Sequence, residues 1–254
     1  MSTNNTRKQK ILSCFLTLVI FLVAPLNVYA TQISSEMPYR DGDIPADVYE
    51  LIEEYKNGTY SVGTNDKNGI AQALFEGTAD EADYESKDAD VKKLYNLKKV
   101  AENTFEATQV SLYSLENTTQ GQMKGVIIYN RITYNTKSFN GDPWNYVMLT
   151  KVSGGVVQNN GNYWCEALYL RYHVYGDAFS ETGTHVGYKG ADSGYGNQIY
   201  APSVGKNYSR SGPSDYYYSL GYKGTALSGF TKGTISFRLG ASEELVTGCA
   251  INAI

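Results

Sequence analysis

From about Thr104 onward the chain alternates apolar and polar side chains with a period of two, and that pattern restricts it to paired strands. Lys124–Tyr134 puts Val126, Ile128, Ile132 and Tyr134 on one face, with Asn130 alone out of pattern. Tyr163–Tyr175 puts Trp164, Leu168, Leu170, Tyr172 and Val174 on the core side, with Glu166 as the exception. Thr234–Leu239 sets Ile235, Phe237 and Leu239 against Thr234, Ser236 and Arg238. Asn140-Gly141-Asp142-Pro143 and Asn159-Asn160-Gly161-Asn162 fall between such runs and tolerate the positive φ that hairpin turns need. Of 25 glycines and 23 tyrosines, 20 and 16 lie in residues 101–254, so turn-forming and strand-forming residues concentrate together. The expected fold is mainly β: an antiparallel β-sandwich or related β-barrel over 104–254, with a short helical segment before it.

Residues 31–103 read as an acidic, partly helical segment. Val48, Leu51, Ile52 and Tyr55 recur at the spacing of one helix face, between Pro45, suited to a helix start, and Gly58, suited to its end. Asp41-Gly42-Asp43 precedes that helix. A second helix is expected over Asp88–Val100, opened by acids, closed by Lys98 and Lys99, and carrying Val91, Leu94 and Tyr95 as apolar positions. Between the two, Gly77–Glu85 is acidic with little to bury and reads as a solvated linker.

Residues 1–30 have the order of a secretory signal peptide: Arg7, Lys8 and Lys10, then an apolar run from Ile11 to Leu26, then Val28-Tyr29-Ala30. Cleavage near Ala30 is expected, leaving a mature chain without a membrane span, secreted or associated with the cell envelope. That chain keeps 19 Lys and Arg against 26 Asp and Glu. A nucleic-acid partner calls for a positive face, and neither half of the mature chain is net positive. Removing Cys14 with the signal leaves Cys165 and Cys249, and a pair of cysteines in an oxidising space is expected to form a disulfide.

Catalytic motifs are sparse. His173 and His185 are the two histidines of the chain. Asp192-Ser193-Gly194 resembles the core of the nucleophile motif of chymotrypsin-like serine proteases, but Ala191 and Tyr195 stand where that family has glycines. Thr64–Gly69 partly imitates a calcium-binding loop, with Thr at the first ligand place and Glu76 one residue beyond the last. The sequence therefore implies neither a metal site nor a cofactor. Glu166, an acid on an apolar strand face, is the one carboxylate to watch for glycoside hydrolysis.

Aromatic recognition is the reading that the composition favours. Gly187–Gly224 holds eight tyrosines and eight glycines, including Tyr216-Tyr217-Tyr218, and its two ends, Gly187-Tyr188-Lys189-Gly190 and Gly221-Tyr222-Lys223-Gly224, repeat one motif that reads as two similar glycine-bounded turns. On the strand at 163–175, Tyr163, Tyr169, Arg171, His173 and Tyr175 share the side opposite the apolar one. Such residues offer rigid, amphipathic contact area at low entropic cost. Candidate ligand-binding residues are Tyr169, Arg171, His173, Tyr216, Tyr217 and Tyr218. The expected function is a secreted, non-catalytic recognition module for an extracellular glycan or protein surface. The alternatives are a secreted hydrolase of a wall or matrix polymer and a secreted toxin or effector. Intact-mass measurement of the exported protein should give a chain beginning at Thr31; a chain that retains Met1 would overturn the targeting assignment.

Overall fold

The computed structural model describes residues 32–33, 39–61, 90–114, 125–139, 141, 145–195, 198–221, 224–237 and 242–252. In chain order the elements are β1 (Gln32–Ile33), β2 (Tyr39–Asp43), α1 (Ala46–Lys56), β3 (Asp90–Ala101), β4 (Thr104–Ser114), β5 (Gly125–Lys137), β6 (Tyr146–Gln158), β7 (Tyr163–Phe179), β8 (His185–Asp192), β9 (Gln198–Tyr200), β10 (Lys206–Ser211), β11 (Tyr217–Ser219), β12 (Ala226–Phe237) and β13 (Ser242–Asn252). The fold is mostly antiparallel sheet with one short helix among the described residues, and the sheet does not close into a barrel.

Two layers result. One carries the order β3-β4-β5-β6-β10-β2. The other runs β13-β12-β7, with β8 and β9 dividing the far edge of β7 and β1 lying parallel to β8. β11 pairs with both β6 and β7 and so links the layers at one end, giving a sandwich-like arrangement.

The core between the layers holds Val126, Ile128, Ile132, Tyr134, Leu168, Leu170, Tyr172, Val174, Leu227 and Ile235, all buried, so the period-two alternation places these side chains where expected. At its centre the layers come close enough to require glycine. A Cβ on Gly154 would lie 2.1 Å from Thr231 Oγ1 and 2.8 Å from Leu170 Cδ2; one on Gly229 would lie 2.4 Å from Ile132 Cγ2. The same close approach satisfies polar groups across the layers. Asn130, the residue out of pattern, is fully buried and donates from Nδ2 to Thr231 Oγ1 at 3.0 Å. Gln109 Oε1 accepts from Thr247 Oγ1 at 2.8 Å and from the Gly248 N–H at 2.6 Å.

The outer face of β5 is buried as well, under α1. Val48, Leu51 and Ile52 pack on Leu94, Val110, Leu112, Ile127 and Tyr129. The Arg131 guanidinium seats the start of the helix, donating to Asp47 at 2.8 Å, Glu106 at 3.0 Å and Thr108 Oγ1 at 2.8 Å. α1 begins after Pro45 and is followed by Gly58 at φ +72°, as the terminator reading requires.

Four expectations need correction. Residues 90–101 form a strand, not a helix, paired along the length of β4. Leu94 and Leu97 are three apart, which on a helix means one face; on β3 they point to opposite faces, Leu94 toward α1 and Leu97 into the inter-layer core. Because both faces of this sheet are covered, an edge strand can bury both and still carry lysines at its rim, and Tyr60 Oη accepts from its Tyr95 N–H at 2.8 Å. Second, Cys165 and Cys249 are free and buried. They stand opposite Ile235 and Gly229 of β12, on different neighbouring strands, which separates them by roughly 20 Å, far beyond disulfide reach. Burial pushes each thiol up to about 12. Third, Trp164 is exposed rather than core, for a reason given below. Fourth, Gly187–Gly190, one of two Gly-Tyr-Lys-Gly segments, belongs to β8 and not to a turn. The targeting segment 1–30, the calcium-loop imitation and the acidic linker lie outside the described residues. Among the described residues no helix is long and apolar enough to cross a membrane.

Gly154→Ala should lower stability by about 1–3 kcal/mol through overpacking between the layers, read as a lower urea midpoint at unchanged slope. Gly161→Ala, where a Cβ meets open space, should shift it by no more than about 0.5 kcal/mol. Equal shifts would mean that the layers do not meet at Gly154.

Candidate functional site

The candidate site is the outer face of the layer built on β7. Along β7 the ladder with β12 pairs Ala167 with Thr234 and then Cys165 with Ile235, so Glu166 is an extra, bulged residue. The bulge resets which face each side chain takes. Beyond it Leu168, Leu170, Tyr172 and Val174 point inward and Tyr169, Arg171, His173 and Tyr175 outward; before it Cys165 points inward and Trp164 outward. The exposure of Trp164 and that of Glu166 thus have one cause. Glu166 is exposed and accepts a hydrogen bond from Ser236 Oγ.

β8 pairs with residues 173–179 of β7 and β9 with 167–169, and the chain between them leaves the ladder. Ser193 holds this departure, since its N–H donates to Tyr172 O at 3.0 Å and its Oγ accepts from the Tyr172 N–H at 2.8 Å. The Gly194 N–H donates to Asp192 Oδ1 at 2.7 Å, and Tyr195 is brought back over the sheet. Behind the same gap, the fully buried Arg210 of β10 reaches across the core and donates from Nη1 to Leu170 O at 2.8 Å.

On the outer surface Tyr195 lies beside two cations, Arg171 at 5.0 Å and Lys232 at 4.9 Å from its ring centre, and meets Tyr169 edge-on at 6.3 Å. Lys232 also stands 5.0 Å from the Tyr169 ring. Each cation has a carboxylate. Arg171 donates from Nε and Nη2 to the two Asp192 oxygens at 2.9 and 2.7 Å, and Lys232 pairs with Glu244 at 2.8 Å. Burial raises the Asp192 carboxyl, but the Arg171 hydrogen bonds, the Gly194 N–H and the nearby positive charge outweigh it, so the net shift is downward. His173 is opposite Asp192 in the ladder, with its ring 5.0 Å from that of Tyr175.

Of the residues singled out in the sequence, Tyr169, Arg171 and His173 come together here. Tyr217 and Tyr218 do not: both are buried, at 7% and 1% exposure, where β11 bridges the layers, and burial raises their hydroxyl pKa values. Tyr216 is half-buried against the same core. Tyr217 and Tyr218 pack the fold on opposite sides of β11, Tyr218 in the inter-layer core and Tyr217 against Tyr146 and Phe179. Ser193 is buried and its hydroxyl is engaged with the backbone. Asp41, Asp43 and Asp47 each face a separate cation, Lys151, Lys206 and Arg131. Sequence reasoning missed Trp164, Tyr195, Tyr200 and Lys232. The signal for the first was Glu166, a charged residue in phase with Trp164 and Leu168 that interrupts the apolar face where the bulge falls.

Comparison with protein-family models, with curated proteins and with solved structures finds no match for this chain in any of the three. The geometry must therefore speak for itself. It combines aromatic faces, polar hydroxyls and internally compensated charges on an open sheet surface, which suits non-covalent binding.

A depressed carboxyl stabilises the fold above its unfolded pKa and loses that contribution as pH falls through its folded value. Wild type should therefore exceed Asp192→Asn in melting temperature by a constant margin at neutral pH, and the margin should shrink below about pH 4. A margin that is unchanged down to pH 2 would exclude the ionised Asp192–Arg171 pair as its source.

Proposed function

We propose that this protein is a secreted, non-catalytic recognition module that binds a glycan or a protein surface, outside the cell or in its envelope, with the outer face of the β7 layer. The observation that carries this reading is the Tyr169–Tyr195 pair set against Arg171 and Lys232 on that face. Rings held in place by neighbouring cations lose little conformational freedom when a ligand stacks on them. Carboxylates fit the same reading. Asp192 and Glu244 are engaged with cations, a state suited to holding a surface rigid and unsuited to donating a proton.

The test is a glycan array and a pulldown with defined extracellular proteins, using the mature chain, followed by two variants. Tyr169→Ala should weaken binding about 2- to 10-fold with the far-UV spectrum and melting transition retained, while Glu166→Gln should leave binding unchanged. A polymer that wild type cleaves and Glu166→Gln does not would replace the recognition module with a hydrolase.

A further inference from the structure

We infer, on the basis of the recognition reading above, that the ligand is an uncharged, extended polysaccharide lying along β7 from Trp164 to Tyr175. The argument begins with the bulge. Trp164 and Tyr169 are five positions apart, and in an unbroken strand they would face opposite ways. Glu166 as the extra residue puts both on the outer face. Tyr200 joins them, since it is paired with the outward Ala167 and is 74% exposed, while Trp164 is 38% exposed. With Tyr195 and Tyr175 these rings form a row that follows the strand for roughly 35 Å. A row suits a linear chain of sugar rings, each with an apolar face to stack, better than it suits a globular partner, which needs a broad patch with a dry centre.

Charge selects among glycans. Arg171 donates from Nε and Nη2 to Asp192, Lys232 is held by Glu244, and Glu166 accepts from Ser236. A sulfated or carboxylated polymer would have to compete with these pairs to gain attraction, whereas a neutral one leaves them in place. What the row offers a neutral sugar is amide chemistry, with Gln198 beside Tyr169 on the same face.

The experiment uses the full mature chain, soluble uncharged β-linked glucan and N-acetylglucosamine oligomers of increasing length, and polygalacturonate as the anionic probe. Calorimetry should show uncharged oligomers binding more tightly as they lengthen, with an affinity unchanged when salt is raised to screen surface charge. Trp164→Ala, Tyr169→Ala and Tyr200→Ala should each weaken binding about 2- to 10-fold. Tyr200 is so exposed that its removal tests the surface without disturbing the core. Preference for polygalacturonate, or affinity lost with salt, overturns the uncharged ligand. A binding effect of Tyr169→Ala with none from Trp164→Ala or Tyr200→Ala overturns the extended row and leaves the recognition face standing. Capture of a defined extracellular protein through Tyr169, with no glycan bound, overturns the polysaccharide and keeps the recognition reading. Binding that ignores all three substitutions overturns both.

Discussion

Strand β7 is the constraint on which the rest of this structure depends. It runs from Tyr163 to Phe179, longer than any partner the chain supplies, so its two edges are shared among β8, β9, β11 and β12. Every backbone group of a buried strand needs a partner, and where β9 yields to β8 other parts of the chain supply it. Ser193 stands in for a ladder residue beside Tyr172, and Arg210 reaches from the opposite layer to the Leu170 carbonyl. The loop that carries Tyr195 exists because β8 and β9 do not meet, so the candidate site follows from how β7 is satisfied.

Contact between the layers sets a second limit. Gly154 opposite Thr231 and Gly229 opposite Ile132 let the backbones approach until Asn130 can reach Thr231 and Gln109 can reach β13. Buried polar pairs of this kind contribute little net energy, on the order of 1 kcal/mol each, yet a slipped register would leave them unpaired at a higher cost. Apolar burial thus holds the layers together, and the polar pairs decide their alignment. Arg131 does the same for α1, tying the acidic first turn of the helix to β4 and β5.

Tyrosine serves both purposes in this chain. Tyr129, Tyr134, Tyr146 and Tyr218 are fully buried, and Tyr129 Oη donates to Asn207 within the covered outer face of β5. Tyr188 and Tyr200 are open to solvent. Richness in tyrosine therefore marks sheet-building as much as binding, and the two uses separate only by which face a strand presents and whether that face is covered.

The sequence by itself determined the class of fold and the identity of its central strands. Alternation over 125–134, 168–175 and 234–236 names the inward residues, and Pro45 and Gly58 bracket the helix, because side-chain period and backbone preference act within a few residues. Tyr169, Arg171 and His173 were legible as one outward face for the same reason. What only the tertiary structure decided concerns neighbours. Residues 90–101 became a strand because β4 offered them a ladder and both faces of that sheet were covered. Cys165 and Cys249 stayed apart because they stand on opposite sides of β12, against Ile235 and Gly229, and Tyr217 and Tyr218 were buried because β11 bridges two layers. Trp164 reached the outer face through a bulge on β7 that is defined only by the pairing with β12. Local pattern states which way a side chain points along its own strand; register, coverage and bulges depend on a second strand, distant in sequence, that the pattern does not name.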